Sequence, residues 1–126
     1  MRTSTPADGT ETGTLGEKIA AQFLIDKGYK IVCQNWRCRW GEIDIIAQDG
    51  NTIVFVEVKT ASSRRFGHPS GWVNAKKQSH IVNSAKQYIL DGIGEDTPVR
   101  FDVLAVDLRN NTVEHIVSAF VLGDEG

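Results

Sequence analysis

Leu15, Ile19, Phe23 and Leu24 recur at helical spacing. The Thr14-Leu-Gly-Glu17 segment reads as a capping box, so a helix is predicted to start at Thr14 and to close at Gly28. A short strand follows from about Tyr29 to Gln34, containing Ile31, Val32 and Cys33. Two runs rich in β-branched residues, Glu42 to Gln48 and Thr52 to Thr60, flank Asp49-Gly50. An Asp-Gly pair between such runs predicts a hairpin, because the turn needs a positive φ. Residues 61–73 carry Ser, Gly and Pro69 and read as a loop, after which Ile81, Ala85, Tyr88 and Ile89 mark the apolar face of a helix from Asn74 to Leu90. Val99 to Asp107 and Val113 to Phe120 are the last strands, joined by a turn at Asn110-Asn111. The order α-β-β-β-α-β-β predicts an α/β fold, a mixed central sheet flanked by helices.

Composition changes this picture little. The 126 residues, 40% of them hydrophobic and 24% charged, suit one globular domain. Residues 1–13 are polar and without periodicity, a disordered tail ahead of a single domain over 14–126. No apolar run is long enough to span a bilayer and no signal-like segment opens the chain, so a cytoplasmic protein with no membrane partner is expected. Cys33 and Cys38 have no second Cys or His pair to complete a zinc site and read as ordinary thiols.

Charge is unevenly spread. The net charge is −2, yet residues 57–90 hold Lys59, Arg64, Arg65, Lys76, Lys77 and Lys86 against Glu57 alone, and the acids gather after residue 90. A basic middle fits a phosphate-binding face and equally a solvated helix face.

Register decides whether the hairpin can do chemistry, since successive side chains alternate faces. With Asp49-Gly50 as a two-residue loop, Gln48 pairs with Asn51, Asp44 with Phe55 and Glu42 with Glu57. Asp44, Glu57 and Lys59 then share one face, with the two acids as diagonal neighbours. Two carboxylates so placed suit Mg²⁺ or Mn²⁺, hard ions that take oxygen ligands, and the backbone carbonyl of Val58 is a further candidate ligand. The simpler alternative is a cross-strand salt bridge from Lys59 to Glu57 or Asp44.

Asp44-x12-Glu57-Val-Lys59 resembles the signature of the PD-(D/E)xK nuclease superfamily, with Ile43 in place of the usual proline. More closely, the chain resembles the YraN-like family of small bacterial proteins. Gly16-Glu17, Asn35-x-Arg37, Gly41-Glu-Ile-Asp44-Ile-Ile, Phe55-Val-Glu-Val-Lys-Thr60, Phe66-Gly-His-Pro69, Lys76 or Lys77, and Arg100-Phe-Asp102 carry the resemblance across residues 14–107. It implies a restriction-endonuclease-like three-layer core, related to archaeal Holliday-junction resolvases, and a metal-dependent endonuclease that hydrolyses phosphodiester bonds in DNA, branched or single-stranded. Asp44 and Glu57 would hold Mg²⁺ or Mn²⁺, and Lys59 would orient or deprotonate the attacking water or neutralise charge on the phosphate. Glu17 matches an acid on the superfamily's first helix, and its other reading is the capping partner of Thr14. Glu42 shares the hairpin face and reads first as a solvent-facing residue.

Arg37, Arg39, Arg64, Arg65, Lys76 and Lys77 are candidate phosphate contacts, and Trp36, Trp40 and Trp72 candidates for base stacking or for partly buried core. His68, His80 and His115 are too scattered for a metal cluster. Asp102 either supports the site from a neighbouring strand or pairs with Arg100 at the surface. Nucleic acid, DNA foremost, is the expected partner, and a homodimer is compatible with the resolvase likeness. The alternative function is a catalytically inactive nucleic-acid-binding module that keeps the nuclease fold; a third is a protein-interaction domain whose acidic tail docks a basic partner.

Overall fold

A computed structural model describes residues 9–61 and 73–120, with side chains from Thr14 onward. The elements are α1 (Gly9–Asp26), β1 (Lys30–Cys38), β2 (Gly41–Asp49), β3 (Thr52–Ala61), α2 (Ala75–Tyr88), β4 (Val99–Asp107) and β5 (Thr112–Phe120). One π-helical turn, Ile89–Ile93, extends α2. The predicted order holds. The loop centred on Pro69 lies outside the described residues, as do residues 1–8 of the expected tail; residues 9–13, expected in that disordered tail, are helical instead.

The five strands form one mixed sheet in chain order; β3 and β4 run parallel and the other neighbours antiparallel. A helix covers each face, so the fold has three layers. On one face Ala20, Ala21 and Leu24 of α1 close over Ile45, Ala47, Val54, Val56, Leu104 and Val106. On the other, Ile81, Val82 and Ala85 of α2 close over Ile43, Ile46, Phe55, Phe101 and Val103. Phe55, Phe101 and Phe120 stack in a row across β3, β4 and β5, at 5.5 and 5.0 Å between centroids. Mostly apolar, alternating strands buried on both faces demand this arrangement.

Three local expectations are corrected. The first helix starts at Gly9 rather than Thr14, so Thr14 and Glu17 lie within it and make no capping box. Leu15 is 49% exposed, because small residues (Gly16, Ala20, Ala21) form the face that packs. The hairpin loop is Gly50-Asn51, with Asp49 opposite Thr52 and Ile45 opposite Val56. Positive φ is needed only at Gly50 (61°), the first central residue, as in a II′ turn. Asp49 stays on the strand, where its carboxylate meets Arg100 at 3.1 Å. The slip is two residues along the strand pair, so Ile45 to Asp49 keep their expected faces, whereas Ile43, beyond the paired stretch, lies under α2 with Ile46 and Phe55 rather than with Ile45.

Candidate metal centre and its surroundings

The acidic centre forms where the β2–β3 ladder ends. The paired stretch ends at Ile45↔Val56, and Asp44 and Glu57 are the next residues along the two strands. Asp44 turns its Oδ2 to accept the Val58 N–H at 2.8 Å, so its carboxylate takes the place of a ladder partner. The two carboxyls lie close enough to share a hydrogen bond, and the Glu57 side chain is only 13% exposed. Burial, then the charge of Glu57, push the Asp44 carboxyl up to about 8, against the pull of the Val58 N–H. Burial likewise raises Glu57, although Lys77 and Lys59 draw it down. Without a cation between them, such a pair keeps a proton.

Around this pair stand two further acids. A bulge at Val32 in β1 places Asn35 between the pairs Gln34↔Ile45 and Trp36↔Ile43, across from Asp44. Asn35 adopts a positive φ of 54° and its amide bridges two carboxylates, donating to Glu17 at 2.9 Å and to Glu42 at 2.8 Å. Asparagine tolerates that conformation better than most side chains. Glu17 reaches the site because α1 lies against β3: a Cβ at Gly16 would overlap the Thr60 side chain. This close approach accounts for the Gly-Glu pair. Glu17 and Glu42 add their negative potential at Asp44.

The basic candidates divide. Lys59 is exposed on β3 beside Glu57. Lys77 makes an ion pair, its Nζ 3.2 Å from Glu57 Oε2. Lys76, one residue earlier, lines a depression of about 240 Å³ with Asn74, Lys77 and His80. Arg37 is exposed, 3.7 Å from Glu42, and Arg39 stacks over Trp40 at 4.7 Å. Arg64, Arg65, His68 and Trp72 lie outside the described residues. Trp36 packs edge-on against Tyr88 in the core.

Asp102 does not reach the acidic centre. It sits under α1 on the opposite sheet face, fully buried rather than at the surface, and accepts a bidentate pair from Arg100 at 3.0 Å. Its other donors are His115 Nε2 at 2.7 Å and the Ser118 N–H at 3.0 Å. Lys27 Nζ lies 2.8 Å from His115 Nδ1; a lysine ammonium only donates, so the imidazole proton belongs on Nε2, facing Asp102. Burial alone would raise Asp102, but the bonds from His115 and Arg100 outweigh it and hold the carboxyl below 3.8. Asn35, His115 and the pairing of Lys77 carried no role in the sequence reading. Signals for two of them existed: asparagine is unusual within a strand, and lysine is unfavourable in the first turn of a helix.

As to a divalent ion, the donor set at Asp44 and Glu57 is all oxygen and close together, which fits Mg²⁺ or Mn²⁺. Among the described residues no group of three or more His, Cys, Asp or Glu side chains converges as a metal-ligand set. Cys38 instead contacts Ser84 at 3.4 Å. Among the described residues no helix is long and apolar enough to cross a membrane.

The class defined so far is a mixed α/β protein compatible with a three-layer nuclease-like core, bearing an acidic pair at a strand opening. The chain belongs to the uncharacterised protein family UPF0102, whose family model matches residues 16–106. It is similar to the UPF0102 protein of Geotalea uraniireducens, 44% identical over 125 residues that cover 97% of this chain and 98% of that one. The UPF0102 protein of Alkaliphilus oremlandii is 50% identical over 112 residues, 86% of this chain and 96% of its own. That of Clostridioides difficile is 44% identical over 110 residues, 87% and 96% respectively.

Proposed function

We propose that this protein is a metal-dependent endonuclease that hydrolyses phosphodiester bonds in DNA. The observation that carries the reading is the pair Asp44 and Glu57, close enough to share a hydrogen bond and partly withdrawn from water, with Lys59 on the same strand two residues beyond Glu57. Asp44 and Glu57 would hold Mg²⁺ or Mn²⁺, which when bound polarises the phosphate and acidifies a water. The chain's own groups do the rest. Asp44 is oriented by the Val58 N–H, leaving its Oδ1 for the ion. Lys59, exposed on β3, orients the attacking water or, as the free amine, deprotonates it; as the ammonium it offsets charge growing on the phosphate. Glu17 and Glu42, clamped by Asn35, hold the surrounding potential negative and keep their own carboxylates in fixed positions. Lys76, Arg37 and Arg39 offer sequence-independent contacts to the DNA backbone.

A second reading, a nuclease fold that binds nucleic acid without turnover, has one observation in its favour: the absence, among the described residues, of a third converging ligand side chain.

Cleavage of duplex, single-stranded, flap and four-way-junction DNA and of RNA, in Mg²⁺ and in Mn²⁺, separates the two. Wild type, Lys59→Ala and Asp44→Asn are purified in parallel, so that a contaminating nuclease shows in all three. Cleavage by the wild type alone supports the enzyme and names its substrate. Salt-dependent DNA binding without cleavage in any metal supports the inactive module.

A further inference from the structure

Lys77 stands where a lysine is electrostatically misplaced. It lies in the first turn of α2, which holds no acid, and its backbone N–H is capped by Asn74 Oδ1 at 2.9 Å. A cation there opposes the positive end of the helix dipole, so a local anion favours its placement. That anion is Glu57, at 3.2 Å. Lys77 is also the foremost positive influence on Glu57, ahead of Lys59. Glu57, Asp44 and Glu42 in turn favour its charged form against the cost of burial. The ammonium therefore sits at the pair that the proposed function gives to a divalent ion.

We infer that Lys77 is the resident counter-ion of the carboxylate pair, competing with the divalent cation for Glu57 and yielding to it when the cation enters. The inference rests on the metal-centre reading above and adds to it a regulation of metal occupancy. Its mobility comes from the side chain alone. The backbone at Lys77 is fixed by the Asn74 cap, whereas its side chain is half exposed on a flexible four-carbon stem. Released from Glu57, the ammonium joins Lys76 and His80 along the depression those residues share with Asn74. Among the described residues that lining holds no carboxylate, and its matched ligand is a phosphate of the substrate. A single lysine thus neutralises the empty centre and then assists the filled one.

The test is Mn²⁺ binding to the full chain at pH 8 and low salt, read by electron paramagnetic resonance of the free ion. Wild type is compared with Lys77→Met, Lys77→Gln, Lys76→Met and Asp44→Asn, each checked for folding by circular dichroism. Both Lys77 variants are expected to bind Mn²⁺ roughly tenfold more tightly, the scale of one partly buried ion pair. Lys76→Met, one residue away and not on Glu57, is expected to change affinity less than about twofold. Equal tightening in Lys76→Met and Lys77→Met would reduce the effect to general charge and overturn the inference. So would wild-type binding that Lys77 replacement leaves unchanged or weakens, while the metal-centre reading itself would survive. Binding by the Lys77 variants but not by wild type supports the inference in its strongest form. If wild type, the Lys77 variants and Asp44→Asn all fail to bind, the metal centre and the inference fall together.

Discussion

Two buried carboxylate sites lie on opposite faces of this sheet, and their electrostatics run in opposite directions. Asp102, fully buried, receives four hydrogen bonds from Arg100, His115 and Ser118, and its carboxyl is held below the ordinary range. Around it β5 bulges: three residues, Val117 to Ala119, span the interval that Asp102 alone fills on β4. Ser118, at a φ of 55°, turns its N–H onto the carboxylate. Arg100 in turn ties in Asp49 at 3.1 Å and the Tyr29 hydroxyl at 2.7 Å. At the other site Asp44 has one backbone donor and three neighbouring carboxylates, and burial with Glu57 raises it to about 8. A charge that the fold satisfies completely is structural. A charge left short of cations is available to something that arrives from outside.

The contrast is broken most directly at Asp102. Asp102→Asn strips Arg100 and His115 of their anion and is expected to cost about 3–5 kcal/mol, read by chemical denaturation. Because the wild-type carboxyl is depressed, its stabilisation is present above the unfolded value of 3.8 and lost as pH falls below it. A change under about 1 kcal/mol would show that the network is not the structural half of the pair.

Asp44→Asn is expected to act with the opposite sign. In metal-free buffer the folded carboxyl keeps its proton to about pH 8, whereas an unfolded one releases it near 3.8. The folded chain therefore binds more protons in that window, and this site makes wild type lose stability as pH rises through it. Asn retains an oxygen for the Val58 N–H and carries no charge, so the variant gains about 2–3 kcal/mol at pH 8, allowing for the coupling to Glu57. The gain shrinks to nothing near pH 4. Mn²⁺ should raise the melting temperature of wild type and leave the variant unmoved.

Gly16→Ala sharpens the geometry rather than the charge. In an open helix the change would be favourable by nearly 1 kcal/mol, but here the methyl meets Thr60, and a loss of about 2 kcal/mol is expected. Thr60→Ala in the same chain should recover part of it. The smallest effect is at Asn35. Asn35→Gly keeps the left-handed backbone while deleting the clamp between Glu17 and Glu42, with about 1 kcal/mol lost in thermal melts. A larger loss in Asn35→Ala would measure the backbone share separately.

Much of this was legible from residues alone. The runs of Val and Ile on β3 and β4 specified strands buried on both faces, and Ile81, Ala85 and Ile89 specified the packing stripe of α2. Strand alternation brought Asp44 close to Glu57 despite a turn misplaced by one residue, because a two-residue slip preserves faces over the paired stretch Ile45 to Asp49. The family likeness rested on the same motifs. The helix start at Gly9 was not legible, since polar Thr- and Gly-rich sequence carries no helical signal of its own. Nor was the burial of Asp102, which has the same local sequence whether its Arg100 partner lies in solvent or under α1.

The amino-acid sequence by itself therefore determined the layers, the strand order of types and the identity of the acidic pair, since each depends on local periodicity or on spacing within one hairpin. Tertiary structure decided which acid is satisfied and which is left wanting. That depends on partners far apart in the chain: His115 and Arg100 at Asp102, Asn35 between Glu17 and Glu42, and Lys77 at Glu57. Charges are summed over distance in space, and no pattern along the chain records that sum.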